Sequence, residues 1–370
     1  MAFMIRPVIE RYADCAAFAE AFQIGERDLL ITNRYLYDPF FAPLGLKCQT
    51  VFQEEFGAGE PTDVMIDGMY QAVRKLSFDR IIAAGGGTVM DISKLFALER
   101  MYPVADLCDG TIPMKKTHEL ILLPTTCGTG SEVTCLAAIN LTRRGTKIGF
   151  GGPEMFADRA VLVPELLRTL PMKFFATSSI DAFIHSIESY VSPKATPDSK
   201  LFSMTSMKMI LRGYMTIREK GEDARFTLSD DFLTAATYGG IAFGNAGTGA
   251  VHAMSYPFGG TYHVPHGESN RVIFPGVFDR YMMKDPNGRI RGMNEELAGV
   301  LGCDADGLYP ELRRLFDVIL PLKPLHEYGM KPEECELFAQ SVEKNQKRLT
   351  RNNYTPLTVR DYTEIYESLY

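Results

Sequence analysis

Between residues 28 and 163, short apolar runs alternate with glycine-rich turns and stretches of helical spacing, and this alternation limits the possible folds most strongly. The strand-like runs are Asp28–Thr32, Gln49–Phe52, 80–84 and 120–123. Thr62 is a candidate N-cap for a helical stretch that extends to residue 75. A repeat of strand, turn and helix predicts a Rossmann-like α/β domain with a parallel sheet and helices on both faces.

After residue 163 the pattern changes, because strand-like runs become rare and helical spacing dominates. Helices are predicted over 179–191, 201–220 and 335–349, and a last amphipathic helix opens at Leu357 and Thr358. We therefore predict a nucleotide-type α/β domain over residues 1–163. An all-α domain is predicted over residues 164–370.

Composition narrows the class of partner and the compartment. The chain has 370 residues and a formal net charge of −7, and its Lys and Arg residues are scattered, which argues against nucleic acid or an anionic membrane as a partner. The seven cysteines include no C-x-x-C pair, which favours a reducing, cytoplasmic compartment. Neither a signal peptide nor a membrane span is expected. We expect a small-molecule substrate and a homodimer or higher homo-oligomer.

A glycine triplet at residues 85–87 follows one strand-like run and opens a helix. Glycines let the backbone approach a pyrophosphate closely, and the N-terminus of a helix offers free N–H groups. Thr88 and Asp91 have the spacing of a capping pair. The alternative is a tight turn between strand and helix that binds nothing.

A second polar loop, PTTCGTGSEV (residues 124–133), follows the next buried strand-like run. Its four hydroxyl side chains on a glycine-rich turn suit a phosphate or a ribose, although a hydrophilic surface loop is the alternative. Two such loops at successive strand ends converge on one crevice in open α/β sheets.

Asp181 and His185 are four residues apart in a segment of helical spacing, so their side chains project from one helix face. This arrangement suits two ligands of a divalent ion, but also an ordinary capped or ion-paired feature. Residues 249–267 add three histidines in a stretch rich in small and apolar residues, namely His252, His263 and His266. Imidazoles with one carboxylate form a site for Fe²⁺ or Zn²⁺ rather than for Ca²⁺ or Mg²⁺. Such a cation lowers the pKa of an alcohol and polarises a carbonyl.

These motifs resemble those of the iron-containing (group III) alcohol dehydrogenases over nearly the whole chain. GGGTVMD resembles that family's GGGSxxD loop, and PTTCGTGSEVT resembles its PTTxGTGSE loop. SIDAFIHSIESYVS and HAMSYPFGG…HVPHG resemble its two metal-binding signatures, and NNYTPLT resembles its NPRPLT stretch. The resemblance implies that residues 1–163 form a Rossmann-like dinucleotide-binding domain and that residues 164–370 form an all-helical domain that binds metal and substrate. It also implies an active site in the cleft between them.

The resemblance also assigns residues to roles. It selects the metal ligands Asp181, His185, His252 and His266 and leaves His263 outside the set. Matched by motif position, the cofactor contacts are Gly86, Gly87, Thr88, Thr125, Thr126, Thr129 and Lys147. Asp91 and Ser131, in the same two loops, complete the candidate NAD-binding set with Asn33.

Within the family, segments such as GERDLLITN, GIAFGNAG and KPLHEYGMK resemble a branch that oxidises 4-hydroxybutyrate to succinate semialdehyde with NAD⁺. The resemblance therefore implies NAD and Fe²⁺, with Zn²⁺ as a possible replacement, and a hydroxy acid or aldehyde substrate. The open alternatives are 1,3-propanediol or a simple primary alcohol as substrate, a lyase resembling dehydroquinate synthase, and a non-catalytic sensor.

Three positions depart from the wider family. Asn33 stands where many members carry Asp; it can bond a ribose, but it lacks the charge that excludes NADP. Tyr256 stands where many members place a His near the substrate, and His263 replaces an Asn or Asp. Tyr256 and His263 are the candidate catalytic residues, which together could shape a pocket for a carboxylate, and the alternative is that both only pack.

Overall fold

The computed structural model describes residues 3–370 and divides into two compact units. One unit is Ile5–Leu170, and the other contains Pro171–Tyr370. Met4 belongs to the second unit, where its backbone exchanges two hydrogen bonds with the side chain of Asn245. The division lies a few residues beyond the predicted boundary at residue 163.

The first unit contains all of the described strands and five α-helices. The strands are β1 (Val8–Arg11), β2 (Asp28–Thr32), β3 (Gln49–Phe52), β4 (Arg80–Gly85), β5 (Glu119–Pro124), β6 (Leu136–Leu141), β7 (Thr146–Gly151) and β8 (Arg159–Leu162). The helices are α1 (Cys15–Phe22), α2 (Arg34–Leu36), α3 (Asp63–Val73), α4 (Gly87–Phe96) and α5 (Val104–Cys108).

Six strands form one parallel sheet in the order β1-β8-β5-β4-β2-β3, and β6 pairs with β7 as an antiparallel hairpin. β2 shows why the sheet is buried on both faces. Leu29 and Ile31 belong to one hydrophobic cluster, while Leu30 between them belongs to another. Continuous apolar strands of this kind are typical of parallel sheets covered on both sides. The predicted parallel α/β fold is confirmed.

Local sequence signals explain several helix ends. The Thr62 side chain accepts a hydrogen bond from the backbone N–H of Met65 and caps α3, as predicted. The predicted capping pair of Thr88 and Asp91 is wrong. The N-cap of α4 is Gly86, which places Thr88 inside the helix, and Asp91 accepts hydrogen bonds from other partners.

In the described part of the second unit, helices are the only regular secondary structure. Its helices are α6 (Met172–Val191), α7 (Pro197–Lys220), α8 (Ala224–Thr227), α9 (Ser229–Ala246), α10 (Ala250–Tyr262), α11 (His266–Lys284), α12 (Ile290–Leu301), α13 (Leu308–Ile319), α14 (Glu334–Asn345), α15 (Lys347–Thr350) and α16 (Val359–Leu369). Thr358 caps the last helix in a capping box with Asp361. Within residues 3–370, no helix combines the length and the apolar character needed to cross a bilayer.

Candidate functional site

Four predicted metal ligands meet in the second unit. One donor atom from each of Asp181, His185, His252 and His266 lies within 4.8 Å of the others. α6 supplies Asp181 and His185 one turn apart, α10 supplies His252, and α11 begins at His266. The geometry brings the predicted set together and leaves out His263.

Short distances to one carboxylate hold this cluster together. The Oδ1 atom of Asp181 lies 3.6 Å from Nε2 of His252 and 3.7 Å from Nε2 of His266. The Asp181 side chain is 5% exposed and that of His252 is 2% exposed, whereas His266 is 28% exposed. A small substrate therefore has its easiest access to the cluster from the His266 side.

Glu188 is a buried partner of the cluster that the sequence analysis did not assign. Its Oε2 lies 2.6 Å from Nδ1 of His252, and its Oε1 accepts a hydrogen bond from the backbone N–H of Val251 at 2.7 Å. With Nδ1 donating to a carboxylate, Nε2 of His252 keeps its lone pair toward the cluster. A Glu seven residues after Asp181, on the same helix face, was the available signal.

Asn270 was also not assigned. It lies one helical turn after His266 on α11, and its side chain is buried. Its Nδ2 donates to Oδ1 of Asp181 at 2.8 Å and lies 3.2 and 3.3 Å from the Nε2 atoms of His252 and His266. Asn270 therefore helps to fix the Asp181 carboxylate relative to the two imidazoles.

The electrostatics of the cluster suit a divalent cation. Burial acts to raise the pKa of the Asp181 carboxyl, but His185, His266 and His252 hold that pKa well below its ordinary value. Burial acts to lower the pKa of His252, yet hydrogen bonds with Asp181 and Glu188 raise it to about 9. A bound cation would take the place of the proton on His252, so that its charge of +2 offsets the carboxylates of Asp181 and Glu188 among neutral imidazoles, and three nitrogens with one oxygen fit Fe²⁺ or Zn²⁺.

A close backbone approach sets the spacing of the two helices that carry three of these ligands. A Cβ atom on Gly267 would lie 2.1 Å from the carbonyl oxygen of Thr177, so only glycine fits there. Gly267 follows His266 directly, and Thr177 precedes Asp181 by one turn of α6. The contact therefore sets the distance between the ligands on α6 and His266.

The two candidate catalytic residues have different environments. The Tyr256 ring is half-buried on α10, with its centroid 5.8 Å from that of His266. The His263 side chain is exposed, and this residue ends α10 with a φ of 54°. Among residues other than glycine, Asn is the usual one at such a left-handed helix cap. This preference gives a structural reason for the Asn or Asp that the family carries where this chain has His263. The structure thus brings Tyr256, and not His263, beside the metal ligands.

In the first unit, the two predicted phosphate loops converge. β4 and β5 are paired up to Gly85 and Pro124, and the backbone N–H of Thr125 donates to the carbonyl of Gly85. A Cβ atom on Gly87 would lie 2.9 Å from Cγ2 of Thr129, and one on Gly86 would lie 3.5 Å from Cγ2 of Thr126. The glycines therefore allow the loops to touch and leave backbone N–H groups of α4 accessible.

A buried network ties these loops together. Asp91 Oδ1 accepts a hydrogen bond from the Ser131 hydroxyl at 2.6 Å, and its Oδ2 accepts one from the backbone N–H of Ala138 at 2.9 Å. The ammonium of Lys94, which is fully buried, donates to Ser131 and to the carbonyl oxygen of Leu136. Asp91 and Ser131, predicted as cofactor contacts, thus have partners within the protein.

The remaining predicted cofactor residues lie at separate positions in the first unit. The Thr88 hydroxyl donates to the carbonyl oxygen of Gly59 at 2.9 Å. Lys147 lies on β7 and forms an ion pair of 2.7 Å with Glu60. Asn33 follows β2 directly. The Thr126 hydroxyl oxygen is buried without a hydrogen-bond partner, so a polar ligand group at the second loop would satisfy it.

Family models match almost the whole chain. The model described as "Iron-containing alcohol dehydrogenase" matches residues 10–164, and the one described as "Fe-containing alcohol dehydrogenase family, C-terminal" matches residues 175–370. The chain belongs to the iron-containing alcohol dehydrogenase family and is therefore an oxidoreductase. Family membership confirms the resemblance found in the sequence and decides against the lyase alternative.

Two curated relatives match the chain over most of their length. A 4-hydroxybutyrate dehydrogenase of Clostridium kluyveri is 48% identical over 366 residues, which cover 99% of each chain. Long-chain-alcohol dehydrogenase 1 of Geobacillus thermodenitrificans is 31% identical, with 95% of this chain and 91% of that protein covered.

Solved structures share the fold at lower identity. A 1,3-propanediol oxidoreductase has a TM-score of 0.84 and 20% identity, with 100% of this chain and 99% of that chain covered. A sulfoacetaldehyde reductase from Bifidobacterium kashiwanohense in complex with NAD⁺ has a TM-score of 0.85 and 23% identity, with coverages of 100% and 98%. At these identities the likeness establishes the fold alone.

Proposed function

We propose that this protein is an NAD-dependent 4-hydroxybutyrate dehydrogenase that uses Fe²⁺, or Zn²⁺ in its place. The reaction is 4-hydroxybutyrate plus NAD⁺ giving succinate semialdehyde, NADH and a proton. The observation that carries the proposal is the Asp181, His185, His252 and His266 cluster in a chain that is 48% identical to a 4-hydroxybutyrate dehydrogenase over nearly its full length.

The residues of the second unit hold and orient the reacting groups. Asp181 and the three histidines are the proposed ligands of the cation, which supplies Lewis acidity that lowers the pKa of the alcohol. Glu188 keeps the Nε2 lone pair of His252 directed at the cation. Tyr256, beside His266, is the proposed substrate contact. His263 stays a candidate for the carboxylate.

The residues of the first unit are proposed to bind the dinucleotide. The backbone at Gly86 and Gly87 and the N-terminus of α4 receive the pyrophosphate. Thr125, Thr126 and Thr129 offer hydroxyls to the phosphates and ribose, while Thr88, Lys147 and Asn33 are further proposed contacts. Asp91 and Ser131 are proposed to support this site by holding the two loops together.

We further propose a cytoplasmic homo-oligomer. All seven cysteines are free, which supports a reducing compartment. Light scattering of the purified protein measures the oligomeric state, and a monomer at working concentrations would refute that part of the proposal.

The decisive experiment compares 4-hydroxybutyrate with 1,4-butanediol, which has a similar length but no carboxylate. Protein reconstituted anaerobically with Fe²⁺ is assayed for NADH formation. A site for the carboxylate predicts a kcat/KM ratio of about tenfold or more in favour of the hydroxy acid, since one charge-assisted hydrogen bond contributes about 1.5–3 kcal/mol. A ratio near one would refute the hydroxy-acid substrate and favour a general primary alcohol.

The ligand assignment is tested separately by metal analysis. His266→Ala is expected to lose most of its bound metal and its NADH production, while the exposed His263→Ala keeps its metal. Retention of full metal content and activity in His266→Ala would refute the assignment.

A further inference from the structure

The carboxylate of Glu54 is fixed at the carboxyl end of β2, although Glu54 itself follows the neighbouring strand β3. Its Oε2 accepts a hydrogen bond from Nδ2 of Asn33 at 2.7 Å. Its Oε1 accepts one from the backbone N–H of Arg34 at 2.6 Å. Both carboxylate oxygens thus contact the two residues that follow β2, while the Glu54 side chain remains exposed to solvent.

Gln53 fixes the orientation of the Asn33 amide. The Nε2 atom of Gln53 donates to the carbonyl oxygen of Gly57 at 2.8 Å, so its Oε1 faces Asn33. That Oε1 lies 3.3 Å from Nδ2 of Asn33, and both side chains are buried. The NH₂ group of Asn33 therefore points at Gln53 and Glu54, and its Oδ1 points away from them.

The position of this carboxylate relates it to the proposed dinucleotide site. β2 pairs with β4, and β4 leads into Gly86 and Gly87 at the same edge of the sheet. In sheets of this kind, an acidic group at the end of the strand beside the glycine loop bonds the 2′-hydroxyl of the adenosine ribose, and a 2′-phosphate needs a cation there. Asn33 occupies that strand end without a charge, and Glu54 places a negative charge against it.

We propose that Glu54 determines the coenzyme preference of this protein: its carboxylate, held by Asn33 and Arg34, accepts the ribose 2′-hydroxyl of NAD(H) and repels the 2′-phosphate of NADP(H). This inference rests on the proposed dinucleotide chemistry and deepens it. From Asn33 alone, we expected this strand end to lack the negative charge that excludes NADP. In this proposal, Glu54 supplies that charge.

Arg34 is the group that would favour the opposite preference. Its guanidinium lies 4.1 Å from the centroid of the Phe52 ring, and its Nη2 forms an ion pair of 2.9 Å with Glu55. The carboxylates of Glu54 and Glu55 and the guanidinium of Arg34 together give this strand end a net negative charge. Because Glu55 already neutralises Arg34, the Glu54 carboxylate dominates the local potential.

The test measures binding of ADP-ribose and of 2′-phospho-ADP-ribose by calorimetry, which requires neither metal nor alcohol. The variants are Glu54→Gln and Glu54→Ala. Glu26→Gln is the matched control, because Glu26 is exposed in the same unit and precedes β2 at its opposite end. We expect wild type and Glu26→Gln to prefer the unphosphorylated probe. In both Glu54 variants, the ratio of the Kd values for the two probes should change by about tenfold in favour of the phosphorylated one, mainly because that probe binds more tightly.

Each other outcome has a definite meaning. An unchanged preference in folded Glu54→Gln and Glu54→Ala would overturn the role of Glu54 and leave the proposed function intact. If wild type preferred the phosphorylated probe and Arg34→Ala lost this preference, Arg34 would be the residue that binds the 2′-phosphate. That result would also overturn the role of Glu54. If wild type bound neither probe, the proposed dinucleotide chemistry would fail, and the Glu54 inference with it.

Discussion

The side chains of Glu188 and His252 form a buried pair in which Oε2 and Nδ1 are 2.6 Å apart, and both side chains are 2% exposed. Glu188 lies on α6 and His252 on α10, so the pair links two of the helices that carry the proposed ligands. The second carboxylate oxygen accepts from the backbone of Val251, which leaves the pair little freedom to rotate. The orientation of one proposed ligand is therefore set by a residue outside the ligand set.

The first prediction concerns this pair. Glu188→Gln should weaken metal binding by about 10–100-fold, because a neutral amide orients the imidazole less well and makes it less basic. The measurement is competition with a chelator of known affinity. Glu219→Gln, on α7 and exposed, is the control. Equal metal affinity in Glu188→Gln and wild type would show that the pair serves folding only.

The second prediction separates the roles of Tyr256 and His263. Tyr256→Phe should lower kcat/KM for 4-hydroxybutyrate by about tenfold through loss of one hydroxyl hydrogen bond. His263→Asn should keep the thermal stability of the protein, since Asn tolerates the left-handed conformation at this helix end. Steady-state kinetics and melting curves of both variants check this. A larger loss of kcat/KM in His263→Asn than in Tyr256→Phe would identify His263 as the substrate residue.

The third prediction concerns the buried ammonium of Lys94. Lys94→Met should lower the free energy of unfolding by about 3–5 kcal/mol, because it removes a fully buried ammonium and leaves the carboxylate of Asp91, which is only 14% exposed, without its cationic partner. Denaturant unfolding measures this change, with exposed Lys75→Met as the control. Coenzyme KM should also rise in Lys94→Met, since the network that joins the two loops is broken. Matching unfolding curves for the two variants would contradict this account.

The fourth prediction concerns pH and the cap of α16. Burial acts to raise the pKa of Asp361, but hydrogen bonds from Lys284 and Thr358 lower it below its ordinary value of 3.8. A lowered pKa in the folded state means that the carboxylate stabilises the protein above 3.8 and that this contribution is lost as the pH falls further. Asp361→Asn should therefore cost about 1–2 kcal/mol at neutral pH and little in strong acid.

Unfolding of this variant is measured at a series of pH values beside Glu367→Gln, an exposed control on the same helix. A stability difference between Asp361→Asn and wild type that is independent of pH would show that the carboxylate charge is not the cause.

Much of the fold was predictable because its signals are local. The strands Asp28–Thr32 and Gln49–Phe52 have the predicted bounds, since runs of this length are typical of strands and too short for most helices. The predicted helix over 335–349 instead divides after Asn345 into α14 and α15. The capping pair of Thr88 and Asp91 failed because Gly86 begins the helix and Ser131 engages the Asp91 carboxylate.

The site was predictable where one motif contains both partners and less so where tertiary packing joins them. Asp181 and His185 belong to one helical turn, so their spacing alone indicated a shared face. Glu188 and Asn270 were overlooked because their shortest contacts, to His252 and Asp181, are made with other helices. Glu54 was overlooked because only the pairing of β2 with β3 brings it to Asn33, which lies 21 residues earlier in the sequence.

The contact between Gly267 and Thr177 has a consequence for how this centre can be altered. The side chains that would surround the cation can be substituted one at a time, because each of them extends from the backbone of a helix. The separation between the helices is different: it is set where two main chains touch, and no side chain can adjust it. Engineering for another metal can therefore change the donor atoms here, but the spacing between the helices that carry them is determined by Gly267, a residue that has no side chain.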